Sequence, residues 1–182
     1  MVVGGGNSGA HIAVELSKQR ETYLSHSKKI MFLPLIFNNK SIFWWFDKFG
    51  ILKSSNLSVI GRLLQKKGDP IFGFELKNEI KKKNVVLKER VIDVNADKII
   101  FNDLSALTFN NIIWATGFKN QLPWLNISNL YDNEGNVIQE RGKTPIYGLY
   151  FIGLPWQYRR GSSLLQGVGY DAEYIVKKIN KQ

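Results

Sequence analysis

Near the start of the 182-residue chain, three glycines stand at the spacing Gly4-x-Gly6-x-x-Gly9. The apolar pair Val2-Val3 precedes them. The residues that follow, 8–19, carry Ile12, Ala13 and Leu16 on one helical face and Glu15 and Lys18 on the other. A strand that runs into a glycine turn and opens a helix can bind phosphate. Gly4 allows the tight turn, Gly6 lets a pyrophosphate approach the backbone, and Gly9 lets helix and strand pack closely. The free N–H groups at Asn7, Ser8 and Gly9 and the positive end of the helix dipole favour the pyrophosphate charge. A glycine turn with no ligand is the competing reading, and the strand–turn–helix context favours the dinucleotide.

Residues 22–26 read as a second strand, which completes the opening of a βαβ unit. Its tip, Ser25-His26-Ser27-Lys28-Lys29, is where the adenosine ribose would lie. An acid about 20 residues beyond the glycines would select a free 2′-hydroxyl. The only acid nearby is Glu21, at the other end of the strand. Ser25, His26, Lys28 and Lys29 instead suit a 2′-phosphate, so NADPH is expected over NADH; an ordinary basic loop is the alternative. His11, in the first helical turn, suits a surface or pyrophosphate-side place better than catalysis.

Three stretches together carry a family resemblance. Val2-Val3-Gly4-Gly5-Gly6-Asn7-Ser8-Gly9-Ala10 resembles the NADPH fingerprint of the flavin-containing monooxygenase family. Ile113-Trp114-Ala115-Thr116-Gly117-Phe118 resembles that family's Ala-Thr-Gly motif, at the junction of the NADPH and FAD domains. Gly148-Leu149-Tyr150-Phe151-Ile152-Gly153-Leu154-Pro155-Trp156-Gln157, followed by Arg160-Gly161-Ser162, resembles its C-terminal FAD-contacting segment. Their order and spacing agree over nearly the whole chain.

The resemblance implies an α/β protein. Residues 1–115 would form a Rossmann-like NAD(P)-binding three-layer domain, and residues 116–182 the C-terminal segment of an FAD-binding domain. It implies NADPH and FAD as cofactors, a small-molecule substrate, and a flavin-dependent NADPH oxidoreductase of monooxygenase type. Thr116 falls at the domain junction; Gly153, Leu154, Gln157, Ser162 and Leu164 would line the flavin. No catalytic residue is assigned, because the cofactor carries the hard chemistry. The family also has a separate FAD fingerprint, and this chain has one glycine fingerprint. The chain therefore resembles the C-terminal part, which leaves three readings open. They are part of a flavoenzyme, a non-catalytic NADP-binding module, and a subunit partnered by a separate FAD-binding half or by a second copy. Leu154 stands where disulfide-reductase-type flavoproteins place an acid.

Composition narrows the remaining chemistry. Lys plus Arg is 25 and Asp plus Glu is 15, a net charge of +10 that suits anionic partners such as phosphorylated cofactors. The chain has no cysteine, which removes disulfides, thiolate metal sites and a cysteine nucleophile, and its two histidines are too few for most His-based zinc sites. No metal site is expected. Lys81-Lys82-Lys83 reads as a solvated helix face and not a nucleic-acid patch. The N-terminus shows no signal-peptide pattern and no apolar run reaches membrane length, so a cytoplasmic protein with no membrane partner is expected.

The elements that must position these residues follow from periodicity. A helix is expected over residues 74–83 and strands near 85–87, 91–94 and 98–101. Residues 110–114 read as an apolar strand and residues 149–152 as a buried one. A last helix, 162–180, would bury Leu165, Val168, Ala172, Ile175, Val176 and Ile179. Gly167 and Gly169 inside it mean either close packing on a strand or close approach of a ligand. Trp44 and Trp45 are expected to cover the sheet or to face substrate, and Arg159 and Arg160 to meet cofactor phosphates or solvent.

Overall fold

The computed structural model describes residues 1–118, 120 and 122–181. In chain order it forms β1 (Val2–Val3), α1 (Asn7–Ser17), β2 (Thr22–Ser25), β3 (Phe32–Leu33), β4 (Ile36–Phe37) and β5 (Lys40–Ser41). Then come α2 (Ile42–Lys48), α3 (Val59–Lys67), β6 (Ile71–Phe72), α4 (Glu75–Lys81) and β7 (Val85–Lys88). The series closes with β8 (Val91–Asn95), β9 (Lys98–Phe101), β10 (Ala106–Thr108), β11 (Ile113–Trp114), a 3₁₀ turn at Arg160–Ser163 and α5 (Leu165–Ile179). Among the described residues no helix is long and apolar enough to cross a membrane.

Two compact units result: Met1–Ile42 with Asp69–Phe118, and Phe43–Gly68 with Lys119–Gln182. A linear division at residue 115 puts residues 43–68 in the first domain; in the structure they cluster with the second.

The first unit is an α/β arrangement around a parallel sheet in the order β11-β1-β2-β7. Val2 pairs with both Ile113 and Leu24, and Val3 with Trp114 and Ser25. β1 is only two residues long, yet backbone hydrogen bonds extend its pairing, from Ile113 to the Met1 carbonyl (2.9 Å) and from Gly4 to the Ser25 carbonyl (2.9 Å). The core consists of Val2, Ala10, Ala13, Leu24, Ile71, Leu76 and Val85. α1 buries Gly9, Ala10 and Ala13, while the larger Ile12 and Leu16 are half-buried around them. Small residues at the contact let the helix axis come close to the sheet. β8, β9 and β10 form a separate antiparallel meander. The β4–β5 hairpin turns through Asn38 (φ 48°) and Asn39 (φ 57°), the left-handed pair that a two-residue hairpin turn requires. The apolar strand expected over residues 110–114 shortens to Ile113–Trp114 and lies at the sheet edge, with Trp114 64% exposed.

The second unit departs further from the sequence expectation. Residues 149–152 are not a buried strand. Tyr150 makes an isolated antiparallel bridge with Lys143, and Ile152 is 52% exposed. The last helix does not run unbroken from Ser162. The Ser162 hydroxyl accepts the backbone N–H groups of Tyr158 (3.2 Å) and Arg159 (3.1 Å), which winds the chain into the 3₁₀ turn. Leu164 is then extended (φ −102°, ψ 145°) before α5 begins. Of the expected stripe only Ile175 is buried, and Leu165 is 99% exposed. The face that α5 does bury is Gly167, Asp171 and Ile175, one residue per turn. A Cβ on Gly167 would strike the Gly161 carbonyl, so this glycine serves close packing, against the 3₁₀ turn and not against a strand. Gly169 has nothing within 4 Å of its Cβ position.

Candidate functional site

The glycine turn depends on one backbone contact after another. Gly4 has φ +129°, a conformation that L side chains rarely adopt, and a Cβ there would strike the Ala115 carbonyl. A Cβ on Gly9 would strike the Gly4 carbonyl and come within 3.5 Å of the Ala115 methyl. The first turn of α1 therefore rests on the end of β1, and both rest on the residue after β11. This is the helix–strand packing expected of Gly9. Gly5 faces the tip of β2, where its Cβ would lie 2.7 Å from that of His26.

Gly6 differs from its neighbours. It is exposed and extended (φ −89°, ψ −177°), and a Cβ on it would meet nothing within 4 Å. It is the N-cap of α1 but supplies no side-chain cap, and the first turn carries no acid. The N–H groups of that turn have no intrahelical acceptor by helix geometry. The open side of the turn thus offers unshielded donors at the positive end of an eleven-residue helix.

The structure sorts the remaining candidates by where their side chains point. Asn7 is engaged within the protein: its Nδ2 donates to the Pro70 carbonyl (2.9 Å) and its Oδ1 accepts from the Phe72 N–H (3.0 Å). Asn7 ties the turn to β6, and only its backbone can meet a phosphate. Ser8 is exposed. Ser25 is turned inward, 2% exposed, and donates to the Glu89 carbonyl at 2.7 Å, so its hydroxyl does not face an adenosine site. His26 Nδ1 lies 3.1 Å from the Lys28 carbonyl and holds the strand tip in shape. Lys28 and Lys29 are exposed, and among the described residues neither forms an ion pair. Glu21 is exposed and accepts from the Tyr23 hydroxyl at 2.6 Å. Thr116 is exposed, immediately beyond the Ala115 contact.

In the second unit, Gly153 (φ +84°) has open space at its Cβ position and Leu164 is 39% exposed. Two flavin candidates face inward instead. Gln157 is 1% exposed, and its Oε1 accepts the Leu154 N–H at 3.2 Å. Ser162 is fully buried, with its hydroxyl closing the 3₁₀ turn. Trp44 and Trp45 lie on α2 and pair edge to face at 4.8 Å. Arg159 belongs neither to solvent nor to an evident phosphate site. It is buried beside the wholly buried Asp171. Sequence periodicity gave no sign of Asp171, because an acid on an otherwise apolar helical face reads as its polar edge.

No family model matches the chain. It is 61% identical over 180 residues to the "Uncharacterized oxidoreductase CzcO" of Bacillus subtilis (strain 168), covering 99% of this chain and 52% of that protein. It is 51% identical over 179 residues to the "Uncharacterized oxidoreductase CzcO-like" of Geobacillus kaustophilus, covering 98% of this chain and 51% of that protein. The chain thus spans about half the length of the curated relatives it matches. Among solved structures it resembles a flavin-containing monooxygenase from Stenotrophomonas maltophilia, with a TM-score of 0.70 and 21% identity, over 99% of this chain and 48% of that one.

The glycine turn makes a direct stability contrast. Gly9→Val is expected to destabilise the protein by about 3 kcal/mol, the upper end of overpacking costs. Gly6→Val should cost no more than about 1 kcal/mol, the difference between glycine and an aliphatic residue at an N-cap. Urea unfolding of both variants checks this, and equal losses would contradict the packing described.

Proposed function

Since the chain is a homologue of the CzcO oxidoreductases and has the fold of a flavin-containing monooxygenase, we propose that its first unit binds NADPH. We propose further that the chain is the NADPH-handling part of a flavin-dependent oxidoreductase of monooxygenase type. The observation that carries this reading is Gly6: an open, uncapped N-terminus of α1, with room over the backbone where a pyrophosphate would rest. The N–H groups of Asn7, Ser8 and Gly9 hold the pyrophosphate. Lys28 and Lys29, which have no counter-charge among the described residues, take the 2′-phosphate. His26 and Asn7 shape the site from the side, through the Lys28 carbonyl and through Pro70 and Phe72.

The fit to a flavin is partial. Gly153 and Leu164 present open backbone and a half-exposed apolar side chain, while Gln157 and Ser162 would act only through the loop they hold in place. A bound FAD supplies hydride acceptance and oxygen activation. Among the described residues the only glycine turn of the dinucleotide type that opens a helix is that at Gly4–Gly9. This favours the reading in which the FAD phosphates are held by sequence outside this chain. The small-molecule substrate would likewise be shaped partly by that other half.

Two experiments test the proposal. Calorimetric titration of NADPH and NADH is expected to show a roughly tenfold to 150-fold preference for NADPH, since a hydrogen bond to a charged group contributes about 1.5–3 kcal/mol. The Lys28→Ala/Lys29→Ala variant should abolish that preference, and Gly6→Val should abolish binding of both nucleotides while far-UV dichroism is unchanged. Retained NADPH affinity in a folded Gly6→Val protein would remove the site from this turn. In the second experiment, the 182-residue chain is expected to leave gel filtration with well under one flavin per chain and to consume NADPH negligibly in added FAD. One tightly held FAD per chain with oxygen-dependent NADPH consumption would show that this chain is itself a sufficient flavoenzyme.

A further inference from the structure

The second unit contains a buried charge cluster that neither the nucleotide nor the flavin reading uses. Asp171, on α5, is 0% exposed. Its Oδ1 lies 3.3 Å from Arg141 Nε and 3.7 Å from Arg159 Nη2. The Arg141 guanidinium sits 4.3 Å from the Tyr158 ring centroid and 4.2 Å from that of Tyr174, and Arg159 sits 4.5 Å from that of Tyr170. Both arginines are thus held by charge and by aromatic faces. Arg141 also donates to the Tyr170 carbonyl at 3.4 Å. One carboxylate therefore joins three stretches of chain: the turn at Arg141, the entry to the 3₁₀ turn at Arg159, and α5.

Stability alone does not account for this arrangement. Two buried polar atoms in it, Asp171 Oδ2 and Arg159 Nε, have no hydrogen-bond partner among the described residues. A buried ion pair is weak evidence for stability, because apolar side chains of similar volume often serve as well. What the cluster does determine is the position of Arg159. Arg159 lines a small cavity together with Asp47, Lys53, Gly161, Leu164, Gly167 and Tyr170, and Lys53 pairs there with Asp47 at 3.6 Å. Gly161 lies inside the 3₁₀ turn and Leu164 caps its end, and the family resemblance gives Ser162 and Leu164 to the flavin. The backbone of Gly161 and Leu164 is held by the bond from the Gly161 N–H to the Leu52 carbonyl (3.2 Å) and from the Leu164 N–H to the Gly161 carbonyl (2.9 Å).

We propose that Asp171 is a positioning residue: its carboxylate anchors Arg159 and Arg141, so that the Arg159–Leu164 turn and the cavity beside it keep the shape that receives the flavin. The flavin part of this proposal rests on the function proposed above; the anchoring part does not. With one carboxylate against two guanidiniums, the cluster itself carries a net positive charge; Arg159 is its member at the cavity, where Asp47 and Lys53 offset each other. Removing the carboxylate leaves the buried Arg159 and the half-buried Arg141 without their shared partner, and Arg159 is the one with a cavity to move into.

The test compares Asp171→Asn, Arg159→Gln and the double variant by amide hydrogen exchange, with FAD affinity followed by fluorescence anisotropy. Asp171→Asn keeps the size of the side chain and removes its charge. It is expected to speed exchange at the Gly161, Ser162 and Leu164 amides at least tenfold. The Ile138 amide, bonded elsewhere in the same unit, and the Ala10 amide of the first unit should be unchanged. Arg159→Gln should loosen the same three amides, and the double variant should be no looser than Asp171→Asn alone, because both substitutions break the Asp171–Arg159 interaction. The weak, reversible affinity of the chain for added FAD should fall about tenfold in each, with NADPH affinity unaltered. Uniform acceleration that includes Ile138, additive effects in the double variant, or no change at the three amides would overturn the positioning role. Loosening of the turn in a protein whose wild type shows no FAD affinity at all would instead overturn the flavin reading and leave the anchoring role intact.

Discussion

The first unit depends on three backbone segments that approach more closely than any side chain allows. Gly9 lies on the Gly4 carbonyl, and Gly4 lies on the Ala115 carbonyl. This stack sets where α1 begins, which fixes the direction of its dipole and free N–H groups. It also explains why the end of β11 matters to a site more than one hundred residues earlier in the chain. The Ala-Thr-Gly stretch, read in the sequence as a domain junction, is also the floor of the glycine turn. On the proposed function, a substitution at Ala115 would act on phosphate binding without touching phosphate.

On the proposed function, selectivity for the nucleotide would rest on a different kind of interaction. The glycine turn would meet the pyrophosphate, which NADH and NADPH share. Discrimination would fall to Lys28 and Lys29, both exposed. Exposed charges are screened over about 8–10 Å at physiological salt, so this preference should weaken as ionic strength rises. The backbone recognition of pyrophosphate, made at short range, should weaken less. Ser25 was a reasonable candidate by its place at the strand tip, but strand alternation puts its side chain inside, where the Glu89 carbonyl satisfies it.

Legibility in the sequence followed the range of the interactions involved. The strand–turn–helix at Gly4–Gly9 could be read because its requirements are local: a positive φ, a close approach and an apolar stripe. The parallel pairing of β1 with β2 followed from the same βαβ logic. The motifs at Ala115–Gly117 and Gly148–Ser162 were legible only as resemblance, since nothing local says what they touch. The grouping of residues 43–68 with residues 119–182 could not be read at all. It depends on long-range contacts such as the Asn56 N–H to the Tyr158 carbonyl (2.8 Å) and the bridge between Ser55 and Arg159. The last helix failed for a related reason. Its apolar positions suit burial, but Gly167, Asp171 and Ile175 face the protein, because Gly161 and two arginines lie there.

The two units use opposite means to hold a loop still. In the first, glycines remove side chains until backbone meets backbone, and the resulting turn stays open on the side of Gly6. In the second, a buried carboxylate gathers two arginines and three tyrosines around a turn whose Gly161 lies close to Gly167 and to the Leu52 carbonyl. A backbone stack tolerates almost no substitution but responds little to salt or pH. A charge cluster depends on its shared member, since loss of the carboxylate leaves both arginines unpaired. A pyrophosphate needs fixed donors at one geometry, which the stack supplies. A planar ring system needs a shaped wall and a favourable field, and a cluster of guanidiniums and aromatic faces can supply both. On the proposed function, each loop is therefore built in the way its ligand's chemistry requires.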